Sequence, residues 1–473
     1  MFLLRCFMFL NIVFCYYKQD PIMMGLSGSY NTIAKGYHCV GINPANLAFE
    51  EENYIGLFGT NFSLSNNLVT RHRLNDISGT FLDSAKKEEI IGYLNEGPMK
   101  INSFINSPII INFSVNKFAI TSQLKYFSNF KLSQDFLKLF LEGNSEVSDG
   151  SEDDYIYDLS VENNIAIVWE LAFTKAFNFE PLGLGFTIKY LRGLSYYNLE
   201  PTQDPYFQTN FTDITSKNTY IMKENSGGEG LSLDFGLTTK RTDSGWKFGV
   251  SAINLFGNIK WNKLDYSDIG LLYNEHESYL INLSVNELNF QNLNDPETND
   301  IFDIDANTVY QVNTLPGNII AMGVEGVDYY CSDEDCTSYY IDSESYTMDE
   351  LDLVKTPTLN MEYPTTLSMG FSKEVNAGKI IVFDLSTGMD TSWGNNQNWR
   401  LSSGYIFGTN NIPLRLGLSY GGYDYKSFGF SWGFKGKKEK FNIDFGLSFV
   451  DSYNISKTNG FDFGINIYWI NKK

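Results

Sequence analysis

Nowhere in its 473 residues does this chain gather the roughly 18 consecutive apolar residues that a helical membrane span needs, so a helical membrane protein is excluded. Histidine is scarce. The three present, His38, His72 and His276, stand on unrelated segments and form no zinc-binding pair. No glycine-rich phosphate loop or Walker motif occurs, and the stretch from Gly185 to Gly193 reads as a strand. Cations are outnumbered: 35 Lys and Arg face 56 Asp and Glu. The net charge of −21 would repel nucleic-acid phosphates and disfavours a strongly anionic ligand. No linker rich in Pro, Gly or Ser divides the chain, so it reads as one domain behind a short N-terminal segment. A Ser–His–Asp arrangement is spatial and escapes sequence order, but nothing favours one. The chain is read as a non-enzyme, with no catalytic residues, no cofactor and no metal.

What is present is alternation. Aromatic residues make up 16% of the chain, and near the C-terminus they fall on every second position. Phe441, Ile443, Phe445, Leu447 and Phe449 interleave with Asn442, Asp444, Gly446 and Ser448. Phe461, Phe463, Ile465, Ile467 and Trp469 repeat the pattern, as do Phe428, Phe430, Trp432 and Phe434. A nine-residue strand rises about 30 Å, or about 23 Å when tilted, which matches a lipid-facing band about 25 Å tall. The polar positions carry Gly, Ser, Asn and Asp rather than the Lys, Glu, Thr and Arg of a strand face open to water. Such a face suits a lumen filled by other parts of the chain. The pattern predicts an all-β fold, a transmembrane antiparallel β-barrel of about 14 strands. Phe428, Phe430, Trp432, Phe441, Phe445, Phe449, Phe463 and Trp469 are expected to face lipid. An arginine replacing Phe445 should then cost about 2–4 kcal/mol if near the midplane, and one replacing Ser448 should be milder. A soluble β-protein also alternates, and membrane fractionation separates the two readings.

Counting back from the C-terminus, strands are expected near 460–470, 440–450, 426–434, 412–421, 398–407, 379–388 and 364–373. Others are expected at Tyr54–Leu64, Pro108–Ser114, Phe118–Phe127, Asn164–Phe173, Leu182–Tyr197, Leu231–Lys240, Trp246–Asn254, Tyr279–Val285 and near Asn318–Gly326. Short connections at Glu374–Gly378, Gly408–Asn411 and Lys435–Lys440 fall on one side, the periplasmic one if the chain ends there. Longer ones, including the acidic, Tyr-rich stretch 328–362, fall outside. Ser84–Asn95 and Ser133–Leu141 read as short helices at a barrel mouth or in its lumen. Asp295, Asp300, Asp303 and Asp305 are spaced like calcium ligands but lack the full loop motif, so a solvated acidic loop is preferred.

Residues 1–15 read as a signal peptide, with Val13 and Cys15 before a cleavage at Tyr16; a leader that stays attached is the competing reading. Cys331 and Cys336 lie close together in the acidic stretch, where a disulfide outside the cell is preferred to zinc. Cys39 is then a single buried thiol.

Several segments, taken in order, resemble FadL-like outer-membrane proteins. Gly25, Gly28 and Tyr30, then Ala34, then Asn43, Pro44, Ala45, Asn46, Leu47 and Ala48 are similar to that group's N-terminal segment. Leu184–Gly193, Phe248–Gly257, Pro364–Gly370 and Pro413–Gly422 carry further echoes. The group includes transporters of hydrophobic compounds, PorV-type proteins of type IX secretion, and Bacteroidota-type barrels of unassigned role, to which this chain is most similar. His38, Cys39, Val40 and Gly41 depart from the group's small or acidic residues. The resemblance implies a hatch over residues 16–52 plugging a barrel over 53–473, with hydrophobic ligands entering from outside and leaving laterally through the wall. Asn43 can cap a helical turn begun by Pro44, with Leu47 packed inward. Two functions remain in view: passive uptake of a hydrophobic or amphipathic small molecule, and a surface scaffold that docks an exported protein through the acidic stretch. In both, the surrounding partner is outer-membrane lipid.

Overall fold

A strand with one apolar and one polar face presents unpaired backbone along both edges, and only closure into a ring removes those edges. The structure, a computed structural model, describes residues 18–261 and 359–471 apart from short gaps, with isolated strand segments between 279 and 347. The gaps are 95–96, 143–154, 202–203, 210–213, 226, 377, 391–392, 394, 396, 423–425 and 437–439. Fourteen strands close an antiparallel barrel. In order they are β1 (Asn53–Asn66), β2 (Met99–Pro108, resuming at Phe113–Val115), β3 (Phe118–Leu132), β4 (Val161–Phe179), β5 (Leu182–Pro201), β6 (Gly228–Thr239) and β7 (Trp246–Trp261). Then come β8 (Leu359–Glu362, resuming at Thr366–Asn376), β9 (Lys379–Gly388), β10 (Arg400–Gly408), β11 (Pro413–Gly421), β12 (Lys426–Lys435), β13 (Phe441–Val450) and β14 (Gly460–Asn471). Each pairs with the next, and β1 returns to β14 from Asn53↔Asn471 to Ser65↔Gly460.

Facing follows the alternation. Along β13 the apolar residues Phe441, Phe445 and Phe449 are half-exposed on the outer face, while Asn442, Asp444, Gly446 and Ser448 are buried inside. Phe428 and Phe430 share that outward setting, as do Trp432, Phe463 and Trp469 at 36%, 39% and 39% exposure. Tight turns gather at the end where β14 stops. The β2–β3 turn uses Asn116 and Lys117 at φ 50° and 63°, the pair of positive values that a two-residue hairpin demands. Longer connections gather at the opposite end, which carries three short helices: Arg71–Ile77, Ser84–Gly92 and Gln134–Glu142.

The inside departs from a wet channel. Ser448 is fully buried and accepts a hydrogen bond from Lys18 Nζ at 2.8 Å. An arginine there would meet a buried cation, so the structure predicts more than a mild effect for Ser448→Arg. One strand also sits differently. The segment expected as Pro108–Ser114 is instead a break, with the strand proper upstream at Met99–Pro108. The leader 1–15, the Cys331–Cys336 pairing, the acidic Asp295, Asp300 and Asp303 set, the strand near 318–326 and most of 328–362 lie outside the described residues.

Candidate functional site: a filled lumen and a broken strand

Residues 18–52 precede β1 and run back through the barrel. Asp20 caps the short helix α1 (Pro21–Gly25), its Oδ1 accepting from Ile22 N at 2.7 Å. Asn43 accepts from Ala45 N at 3.1 Å and Pro44 opens a 3-10 turn over Pro44–Phe49, which buries Leu47. Room for this segment comes from glycines on the inner face of the wall. At Gly446, Gly429 and Gly417 an added Cβ would overlap the backbone of Pro21, Met24 and Leu26, and at Gly185 that of Pro44 and Ala45. The small polar face seen in the sequence is therefore the surface on which the segment rests. Gly25, in turn, lies against Ser431 and Gly28 against Arg400.

Polar bonds then pin it at several points. Lys18 pairs with Asp462 at 2.7 Å, and the amides of Tyr30 and Asn31 donate to Asp384 Oδ2 at 2.5 and 2.7 Å. Arg400 donates to Ser27 O at 2.9 Å, and Lys247 to Asn46 Oδ1 at 2.7 Å. His38 Nδ1 sits 2.8 Å from Asp20 Oδ2, which also accepts from Asn466 Nδ2 at 2.9 Å. Burial pushes the Asp20 carboxyl up. The His38 imidazole and the amides of Ile22 and Met23 outweigh it and hold the group below its ordinary value. Burial raises the free Cys39 thiol well above its ordinary value, so it stays unreactive.

A charged layer lies beside the segment. Glu170 accepts from Lys125 at 2.9 Å and from Tyr363 Oη at 2.8 Å, and Lys189 pairs with Asp234 at 2.9 Å while donating to Asn254 at 2.6 Å. All four charges are at most 4% exposed. Next to it stands an aromatic cluster. Phe104 and Phe127 rings lie 5.3 Å apart, Phe127 and Trp393 5.9 Å, and Tyr196 and Trp261 5.3 Å. The hollow between the two layers holds only about 30 Å³.

The wall is interrupted at β2. Its long part pairs with β1 from Asn61↔Asn106 to Asn66↔Ile101, and the ladder resumes only at Ile55↔Phe113. Between, Gly56 N donates to Asn112 O at 2.7 Å, and Ser107 Oγ to Gly59 O at 3.0 Å. Pro108 lacks the amide that continued pairing needs, and Ile109, Ile110 and Ile111 turn outward at 53%, 58% and 57% exposure. Behind the break is a cavity of about 50 Å³. Asp20 and His38 line it from the segment, with Asn61, Asn106 and Asn112 from the wall.

The structure thus brings Gly25, Gly28, Tyr30, Asn43, Pro44, Ala45 and Leu47 together inside the lumen and sets the eight proposed lipid-facing aromatics on the opposite side of the wall. Sequence reasoning missed the charged layer. The signal was there: Lys125, Glu170, Lys189 and Asp234 each interrupt an alternating strand with a charge on its inward side.

No protein-family model matches this chain, and no curated protein matches it in sequence. Among solved structures it is similar to the toluene transporter TbuX of Ralstonia pickettii, at 12% identity over 96% of this chain and 98% of that one, with a TM-score of 0.47. It is similar to the toluene transporter TodX of Pseudomonas putida at 11% identity over 98% and 100%, TM-score 0.45. A FadL homologue of Pseudomonas aeruginosa gives 11% over 97% and 99%, TM-score 0.45. At identities this low, nothing about a ligand follows from the likeness.

Proposed function

We propose that this chain is an outer-membrane β-barrel that passively admits hydrophobic or amphipathic small molecules, with residues 18–52 as its plug and the break in β2 as the outlet towards lipid. The observation that carries this reading is the position of the break. It opens the wall beside the plug, with three isoleucines outside it and Asp20 and His38 inside it. A hydrophobic molecule released there meets lipid without crossing water, so the apolar outer face does part of the transport. The turn-rich end faces the periplasm in this reading, and the loop-rich end, with its helices and aromatic cluster, receives the ligand. The two hollows beside the plug, about 30 and 50 Å³, are far below the roughly 300 Å³ of a small-molecule pocket, so in this reading passage past the plug requires it to shift.

The test is entry of N-phenylnaphthylamine, an apolar dye that fluoresces in lipid, into intact diderm cells. Expression of the full chain should speed entry. The variant Ile110→Asp with Ile111→Asp, which lays charge across the break, should slow it. Equal entry with and without the chain would sink the proposal. Docking of an exported protein is the alternative, and it rests on the acidic composition of 328–362 alone.

A further inference from the structure

Buried polar atoms in native proteins almost always find a partner, so a cluster of unpartnered ones around one hollow is a signal. Five such atoms line the cavity behind the β2 break: Asn61 Oδ1, Asn106 Oδ1, Thr121 Oγ1, Gln123 Oε1 and His38 Nε2. They arrive from three wall strands and the plug. Asn61, Asn106 and Thr121 are 4%, 4% and 3% exposed, and the His38 side chain is 6% exposed, so bulk water does not serve them. Three of the five are amide oxygens, which accept hydrogen bonds and cannot donate.

We infer that this cavity is a binding site for the head of an amphipathic ligand, an uncharged hydroxyl-bearing group such as a phenol or an alcohol. The inference rests on the uptake reading and names its ligand class. Acceptors predominate among the unpartnered atoms, and a hydroxyl supplies a donor while accepting at its own oxygen. A carboxylate does not fit. Among the described residues no Lys or Arg lines the cavity, whereas Asp20 and Glu170 both do. Those two carboxylates are already engaged, Asp20 by His38 and Asn466, Glu170 by Lys125 and Tyr363, so an ammonium would have to displace partners they already hold. A bare hydrocarbon would leave all five atoms orphaned and displace whatever water serves them.

Size agrees with a head rather than a whole ligand. About 50 Å³ admits three or four waters or one hydroxyl with the carbon that bears it. The apolar body then has a path along Val40, Ile42, Phe58 and Pro108, which line the same cavity on its way to the break. The head is held by the plug and the wall together, so a ligand seated here bridges the two parts that must separate.

The experiment compares shape-matched probes on the full chain in detergent by calorimetry: p-cresol, p-xylene, in which a methyl replaces the hydroxyl, and p-toluate. Entry of the first two into proteoliposomes is followed in parallel. The site predicts at least tenfold tighter binding of p-cresol than of p-xylene, and no binding of p-toluate. Thr121→Val, nearly isosteric, and Asn106→Leu should each bring the cresol-to-xylene ratio towards one. Heat-shifted migration in gel electrophoresis checks that both variants remain closed barrels. Equal binding of cresol and xylene, with both entering vesicles, overturns the head-group site and leaves uptake standing; the hollow then holds water only. An unchanged ratio in both variants overturns it as well. If neither probe binds nor enters, the site and the uptake reading fall together.

Discussion

If the plug must move for a molecule to pass, a covalent bond between plug and wall should abolish passage, and the structure offers a place to make one. A Cβ built on Gly404 of β10 lies 3.1 Å from the Cβ of Leu26. Disulfides span about 3.5–4.5 Å between Cβ atoms, so Leu26→Cys with Gly404→Cys needs a shift of about half an ångström. Losing the Leu26 side chain relieves the crowding at Gly404 but removes a wholly buried apolar group, costing about 2 kcal/mol. The reduced variant should therefore hold its plug less firmly than the parent and pass the dye at least as fast. Oxidation closes a loop of several hundred residues, worth about 6 kcal/mol in the chain-entropy account, and dye entry should drop to the level of cells lacking the protein. Cys39 needs no removal, because its buried thiol is held protonated and exchanges poorly. Parent protein treated with the same reductant controls for Cys331 and Cys336. Entry at the parental rate in the oxidised variant, with the disulfide shown by mass spectrometry, would refute a moving plug.

Glu170→Gln should destabilise the barrel by about 3–5 kcal/mol, read as a sharply lower unfolding temperature in detergent, because it strips Lys125 of its buried partner; pairing it with Lys125→Met should recover much of the loss. Phe445→Arg should cost about 2–4 kcal/mol if it lies near the bilayer midplane, read as reduced barrel yield in outer-membrane fractions. Ser448→Arg should instead loosen the plug, exposing the buried Lys18 to trypsin, since the new cation would crowd it. The Asp20 anchor has a pH signature. A depressed carboxyl stabilises the docked plug fully above its ordinary value of 3.8, and that contribution is lost as pH falls through the lower folded value. Proteolysis of the N-terminal segment by an acid-active protease should stay slow down to about pH 4 and rise below it, while Asp20→Asn should be cleaved faster at neutral pH too.

The barrel was legible because lipid imposes period-two alternation on the outer face, and Phe441 to Phe449 obey it residue by residue. The inner face was legible in kind: its glycines and small polar residues announced a crowded lumen, and the family resemblance, not the alternation, pointed to the N-terminal segment as what fills it. Asn43 and Pro44 were readable as a cap because that chemistry is local. The break in β2 was not. Ile109, Ile110 and Ile111 look like the centre of a strand, and only their pairing partners show that the ladder stops there. The charged layer escaped for the same reason. Lys125 and Glu170 are 45 residues apart, and their neutralisation is a fact of register rather than of sequence.

The seam between β1 and β14 sets a timetable for assembly. The first strand cannot find its second neighbour until the last strand has been made, and the segment ahead of it is bound to the same late region: Lys18 reaches Ser448 and Asp462, 430 and 444 residues away. Contacts this distant in sequence form late and make folding slow. A chain cut before Gly460 would lose the closing strand and, with it, one wall of the plug's seat. Closing the ring and filling it thus share residues: the strands that seal this seam also supply the surface on which the N-terminal segment rests.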